Sequence, residues 1–281
     1  MKFVNILKTG FCYLIITSFS LVLHAQKPSK VIFYDDFTKS SIDRSKWNVV
    51  VTGDHFNDEL QAYIDSSSTL YIDKGNLVIR PVFSPGFITK DGKHFDFTSA
   101  RINTKSKFDF TYGKAEARIK LTKAEGLWPA WWLLGNDIWP GTGEIDIMEN
   151  IGEGDWANAA VHGPGYSGET PFVNRKYFPS TNDVTNWHIY AVEWTPSEMV
   201  FKYDNETIFR VTKKMVNHYG QWVFDTPKHL ILNFAVGGIF PVKINGVKGP
   251  GQRYGLPQST ADLIKQNKVT MMVDWVKISQ Q

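Results

Sequence analysis

From Lys27 onward the dominant pattern is a series of short runs in which apolar and polar residues alternate, broken by turn-forming residues. A period of two places successive side chains on opposite faces of a β-strand. KAEARIKL is the clearest case: Ala115, Ala117, Ile119 and Leu121 fall on one face, and Lys114, Glu116, Arg118 and Lys120 on the other. That division suits a strand half buried in a sandwich. IYAVEW, MVFKY and TIFRV read as three further strands joined by tight turns at TPSE and DNE, and HLILNFAV and VTMMVDWVKI add two late in the chain. Helical period is scarce, confined to VTKKMVNHY and to STADLIKQN, where Ser259 or Thr260 is the expected cap. No linker, repeat or low-complexity tract divides the chain, which predicts one all-β domain over residues 27–281 built as stacked sheets.

The first residues break this pattern. MKFVNILKTGFCYLIITSFSLVLHAQ has a lysine-bearing start, an apolar run from Phe11 to Leu23, and the small residue Ala25 before a polar stretch. This is the layout of a secretory signal peptide over residues 1–25, and the run is shorter than the roughly 20 residues a membrane span needs. Cys12, the single cysteine, falls within the leader, so the mature chain is expected to have no disulfide and to depend on a sizeable core or a bound ion. Export to an extracellular or periplasmic setting of a bacterial cell follows, with no membrane association after cleavage and a monomer as the expected state. The formal charge of +3 includes Lys2 and Lys8 of the leader, so the remainder is nearly neutral and carries no footprint for nucleic acid.

Composition sharpens the picture at one place. The chain holds ten tryptophans, and Trp128, Trp131, Trp132 and Trp139 crowd the stretch just before GEIDIMEN. Trp131 and Trp132 are neighbours on a predicted strand, so at most one faces the core, and the other is free to stack against the flat C–H face of a sugar ring. In GEIDIMEN itself, Glu144 and Asp146 share a face while Glu149 stands at an odd offset. A β-bulge near Ile147 and Met148 would return Glu149 to that face and align three acids. Retaining hydrolysis of a glycosidic bond needs two carboxyl groups about 5 to 5.5 Å apart. The two Glu backbones stand on the order of 13 Å apart along a strand, so their side chains converge only on a strongly bent, concave sheet. Acids this close cannot all ionise, so one Glu is expected to remain protonated near neutral pH, with Asp146 helping to set the proton distribution.

GEIDIMEN, preceded by GLWPAWWLLG and TSARINTKSKFDFTYGKAEARIKL, resembles the laminarinase-type members of glycoside hydrolase family 16, whose signature is E-x-D-x-x-E. The likeness continues through YDDF, SKWNV, NDELQAYIDS, KGNLVIRP, VHG, NWHIYAVEW, LNFAVGG and VDWVKI. The resemblance implies a concanavalin-like jelly-roll β-sandwich of two bent antiparallel sheets with the cleft on the concave face. It implies that Glu144 is the nucleophile, Asp146 its helper and Glu149 the acid/base, and that Asn57, Arg101, Trp128, Trp132 and His162 line sugar subsites. It further implies a secreted endo-β-glucanase acting on internal β-1,3 or mixed β-1,3/1,4 bonds of a β-glucan, with no cofactor for catalysis. A structural calcium away from the cleft would use Asp36, the carbonyl of Gly75 and Asp274. From the residues alone, Arg101 reads equally as a salt-bridge partner, His162 as a structural histidine and Asn57 as a turn residue. A glucan-binding lectin of the same fold and a galactan-directed hydrolase are the competing functions.

Overall fold

The computed structural model describes residues 29–249, 251 and 253–280. The expected leader, with Cys12, lies outside the described residues. Alternation does become sheet: in the strand Gly113–Leu121 the four residues Ala115, Ala117, Ile119 and Leu121 are at most 4% exposed. Its other face carries Glu116 between Lys114 and Lys277, the latter at 2.7 Å, and Arg118 against Asp274 at 2.6 Å.

Two large antiparallel sheets form the body of an all-β sandwich. The eight-stranded sheet runs, in spatial order, Glu206–Thr212, Glu198–Tyr203, His188–Trp194, Gly113–Leu121, Met271–Gln280, Asn76–Ile79 and Leu70–Asp73, with Lys30–Asp35 also paired to Met271–Gln280. The seven-stranded sheet runs Phe172–Tyr177, Trp156–His162, Glu144–Glu149, Leu127–Gly135, Lys228–Val236, Arg101–Asn103 and Asn48–Val49. Between the sheets a single apolar core joins Trp131, Leu133, Ile145 and Ile147 of the seven-stranded sheet to Ala117, Ile119, Val192, Phe201 and Tyr203 of the other. Its burial supplies the drive that alternation encodes. Along the Phe172–Tyr177 edge the sheets are also tied laterally: Lys176 pairs with Glu206, and Asn174 Nδ2 donates to the Ile208 carbonyl at 2.7 Å.

Some elements depart from the expected set. A third, small sheet of Gln61–Tyr63, His94–Ser99 and Val82–Ile88 includes one parallel pairing, Gln61–Tyr63 with His94–Ser99. The helix Gln258–Lys265 begins after Pro257 without a side-chain cap. Ser259 and Thr260, the two expected caps, both lie inside it, and Thr260 donates Oγ1 to the Glu125 carbonyl at 2.7 Å. The helix Lys213–Tyr219 is capped by Thr212, whose Oγ1 accepts from the Met215 N–H. A further helix, Ile239–Asn245, forms where no helical period is visible; Pro241 is tolerated there because the first turn lacks intrahelical partners for its N–H groups anyway.

Candidate active site

The acidic strand Glu144–Glu149 owes its geometry to one irregularity. Glu144 pairs with Leu134 and His162, and Asp146 with Trp132 and Ala160. The register then shifts, and Glu149 pairs with Ala130 and Asn158. Ile147 and Met148 thus lie opposite the single residue Ala159, which is the bulge expected from the sequence. Both are fully buried, and Glu144, Asp146 and Glu149 all project from the opposite face. A bulge disturbs the ladder locally, and here the Ile147 carbonyl accepts a hydrogen bond of 3.0 Å from the Tyr203 hydroxyl of the facing sheet. Leaving a buried carbonyl unpaired costs about 1–3 kcal/mol, so this phenol stabilises the bulge against the regular register.

On that face the three acids stand in different surroundings. Trp139 Nε1 donates to Glu144 Oε2 at 2.7 Å. Glu149 receives two bonds, from Trp128 Nε1 to Oε1 at 2.9 Å and from Asn158 Nδ2 to Oε2 at 3.0 Å. Asp146 is only 2% exposed and its Oδ2 has no hydrogen-bond partner. His162 Nε2 approaches that oxygen to 3.2 Å, off the line a hydrogen bond needs. Burial raises Glu144 well above the usual carboxylate range, with the Asp146 and Glu149 charges adding to it. Asp146 is raised likewise by burial, then by the Glu149 charge. Burial and mutual repulsion therefore favour a retained proton within the Glu144 and Asp146 pair, whose titration is shared.

Glu144, Asp146 and His162 each offer a donor atom within 4.8 Å of the others, a spacing short enough for one metal ion to bridge. The tautomer argues against it. His162 Nδ1 accepts from the Gly168 N–H at 3.2 Å, which assigns the ring proton to Nε2, the nitrogen that faces Asp146. An Nε2 bound to metal would have to surrender that proton. The trio fits a proton-sharing cluster better than a metal centre.

Beside the acids, Trp131 is fully buried while Trp132 lies on the open face, as neighbours on one strand must. Trp132 Nε1 donates to Asn233 Oδ1 at 2.7 Å. Asn233 Nδ2 donates in turn to the Tyr63 hydroxyl at 3.0 Å, and that hydroxyl to Glu59 Oε2 at 3.2 Å, which also accepts from Gln61 at 2.7 Å. Burial raises the Glu59 carboxyl, opposed by the Gln61 hydrogen bond and the Arg101 charge. Arg101 forms no ion pair among the described residues; its guanidinium lies 4.7 Å above the Trp132 ring and its Nε is buried without a partner. Asn57 sits at positive φ in the turn Phe56–Asp58, exposed, with a contact of 3.5 Å to Glu59. Trp128 packs edge-on against Phe240 of the unforeseen helix at 5.5 Å.

The family model of "Glycosyl hydrolases family 16" matches residues 43–254, a span that holds every one of these side chains. The chain belongs to glycosyl hydrolases family 16. It is 33% identical to a beta-glucanase of Rhodothermus marinus over 223 residues, covering 74% of this chain and 76% of that one. It is 30% identical to a glucan endo-1,3-beta-glucosidase A1 of Niallia circulans, covering 89% of this chain and only 38% of the relative. The catalytic domain of an endo-1,3-beta-glucanase (laminarinase) from Thermotoga petrophila superposes with a TM-score of 0.80 at 32% identity, covering 91% of this chain and 99% of that one.

Within this family 16 chain, several residues of the site were not singled out by sequence. Asn158 reaches Glu149 from the neighbouring strand, and WANAAVH, nearly all apolar, has no alternation to mark it; Asn233, Tyr63 and Glu59 lie far from GEIDIMEN in the chain and reach Trp132 only in the folded sheet. Trp139 belonged to the tryptophan crowd without a role. The calcium residues stand elsewhere, in the eight-stranded sheet. Pairing of Asp35 with Val276 and of Val273 with Leu77 brings Asp36, Asp274 and the Gly75 turn to one region. Asp274 is already neutralised by Arg118, and Asp36 accepts from Thr38 Oγ1 at 2.8 Å, so the donor set fits an ion only in part.

Proposed function

We propose that the protein is an endo-β-glucanase that hydrolyses internal β-1,3 or mixed β-1,3/1,4 glucosidic bonds with retention of configuration. The observation that carries this reading is the bulge at Ile147 and Met148, which gathers Glu144, Asp146 and Glu149 on one face beside Trp132. In the first step Glu144 attacks the anomeric carbon while Glu149 gives its proton to the departing glycosidic oxygen; in the second, water loses a proton to Glu149 and displaces Glu144. Glu144 must be the anion. The Trp139 N–H favours charge there, and the proton that the pair retains then rests on Asp146. Asn158 serves both forms of Glu149: Nδ2 donates to the carboxylate, and after rotation of the amide its Oδ1, unpartnered and buried, accepts from the acid.

The relatives named as β-glucanases support a β-glucan as substrate. The leader motif supports export, in a monomer that acts outside the cytoplasm; among the described residues no helix is long and apolar enough to cross a membrane. No cofactor enters the reaction. Calcium, where it binds, is structural at Asp36, Gly75 and Asp274, and added calcium would then raise the melting temperature without changing turnover. The deciding experiment is digestion of laminarin, lichenan and curdlan, with the anomeric form of the fresh product followed by NMR. Release of β-anomers from internal cleavage is expected, and either binding without cleavage or release of α-anomers would overturn the reading.

A further inference from the structure

The seven-stranded sheet continues past the acids on the side away from Trp132. Asn158 pairs with Arg175 on the edge strand, and Trp156 with Tyr177. Residues directly opposite in an antiparallel pair share a face, so Arg175, Trp156 and Tyr177 stand on the same face as Glu149. Their neighbours confirm it: Asn174 and Lys176 turn the other way, to Ile208 and Glu206 of the eight-stranded sheet. The Arg175 guanidinium lies 4.0 Å above the Trp156 ring and is half-buried. Among the described residues it has neither an ion pair nor a hydrogen bond, although a guanidinium carries five donors. Tyr177 beside it is 64% exposed.

We infer that Arg175, stacked on Trp156, and Tyr177 form a subsite for a neutral glucosyl unit on the leaving-group side of the cleaved bond, an inference that rests on the proposed hydrolysis. Trp132 and Arg101 occupy the far side of the acidic strand; Glu149, the proton donor to the leaving oxygen, is bonded by Trp128 on that side and by Asn158 on the side of the edge strand, where the leaving sugars then lie. Arg175 stands two strand spacings from Glu149, roughly 10 Å, within reach of the first sugars beyond the bond. There its fork of N–H groups meets sugar hydroxyls, and the open face of Tyr177 accepts the next ring. A neutral unit is favoured over a sulfated or carboxylated one because three acids stand on the same face and, among the described residues, Arg175 is the single cation of the patch, Lys176 being committed to Glu206.

The test compares laminarihexaose, which spans both sides of the site, with a 4-nitrophenyl laminaribioside, which has no sugar on the leaving side. In Arg175→Ala the ratio of kcat/KM for the hexaose to that for the aryl substrate should fall about tenfold, the loss of a charged hydrogen bond, and less in Tyr177→Ala. An unchanged ratio would overturn the subsite, as would a loss confined to a sulfated or carboxylated glucan. Should the wild type cleave neither substrate, the hydrolase reading fails by itself. Calorimetric binding of laminarihexaose then decides the subsite, with unaltered affinity in Arg175→Ala counting against it.

Discussion

The outward faces of the two large sheets handle charge in opposite ways. On the eight-stranded sheet nearly every charge has its counterpart: Glu116 lies between two lysines, Arg118 meets Asp274 and Lys202 meets Glu193. On the seven-stranded sheet three acids crowd together, and among the described residues Arg101 and Arg175 make no ion pair while Asp146, Asn158 and Arg101 keep buried polar atoms without partners. Folding alone gives no reason for the second arrangement, since unpaired buried groups are destabilising. Its polar groups are incomplete in a way that a bound polyol and a shared proton would complete.

The contrast can be broken most severely at the acids themselves. Glu149→Gln and Glu144→Gln remove a proton donor and a nucleophile, and each should lower kcat on laminarin by at least about a thousandfold while circular dichroism stays unchanged. A smaller but more telling effect is expected at Tyr203→Phe, which deprives the Ile147 carbonyl of its partner. A loss of about 1–3 kcal/mol in urea unfolding should come with a fall in kcat and little change in KM, because Glu149 depends on the bulge for its direction. At Asp146 the sign is reversed. Its pKa is raised in the folded state, so the folded protein holds the proton more tightly than the unfolded chain. Its contribution is full below the unfolded carboxyl value of about 4 and is lost as pH rises toward the folded one. Asp146→Asn should therefore flatten the decline of melting temperature above that pH while reducing activity. The least effect belongs to the paired sheet: Lys202→Ala should change stability by about 0–1 kcal/mol and leave turnover on laminarin as it was.

Much of this was legible in advance, for identifiable reasons. Alternation marks a strand wherever one face is buried, so KAEARIKL declared both its structure and its inner face. The bulge was legible because three acids at offsets of two and three cannot share a face on a regular strand. What escaped was non-local or non-periodic. The chain from Trp132 through Asn233 and Tyr63 to Glu59 is assembled by strand order, which no local pattern encodes. Lys228 is fully buried inside a strand, donating to the carbonyls of Val223 and Thr226, and nothing in KHLILNFAV distinguishes it from an exposed lysine. The helix Ile239–Asn245 follows two glycines and carries Pro241, signals of a turn rather than of a helix. Proton retention was also only partly visible: crowding predicted it, but the burial that raises Glu144 and Asp146 is a property of the folded sheet.

The lateral ties of the Phe172–Tyr177 strand bear on how the protein behaves in company. A terminal strand with bare amides and carbonyls is a template on which other chains can add and grow into aggregates. With Asn174 and Lys176 fastened sideways to the neighbouring layer, this border is pinned and bears charge, so recruiting a foreign strand there means first undoing those fastenings. The same border can present Arg175 and Tyr177 to solvent without becoming adhesive toward its own kind.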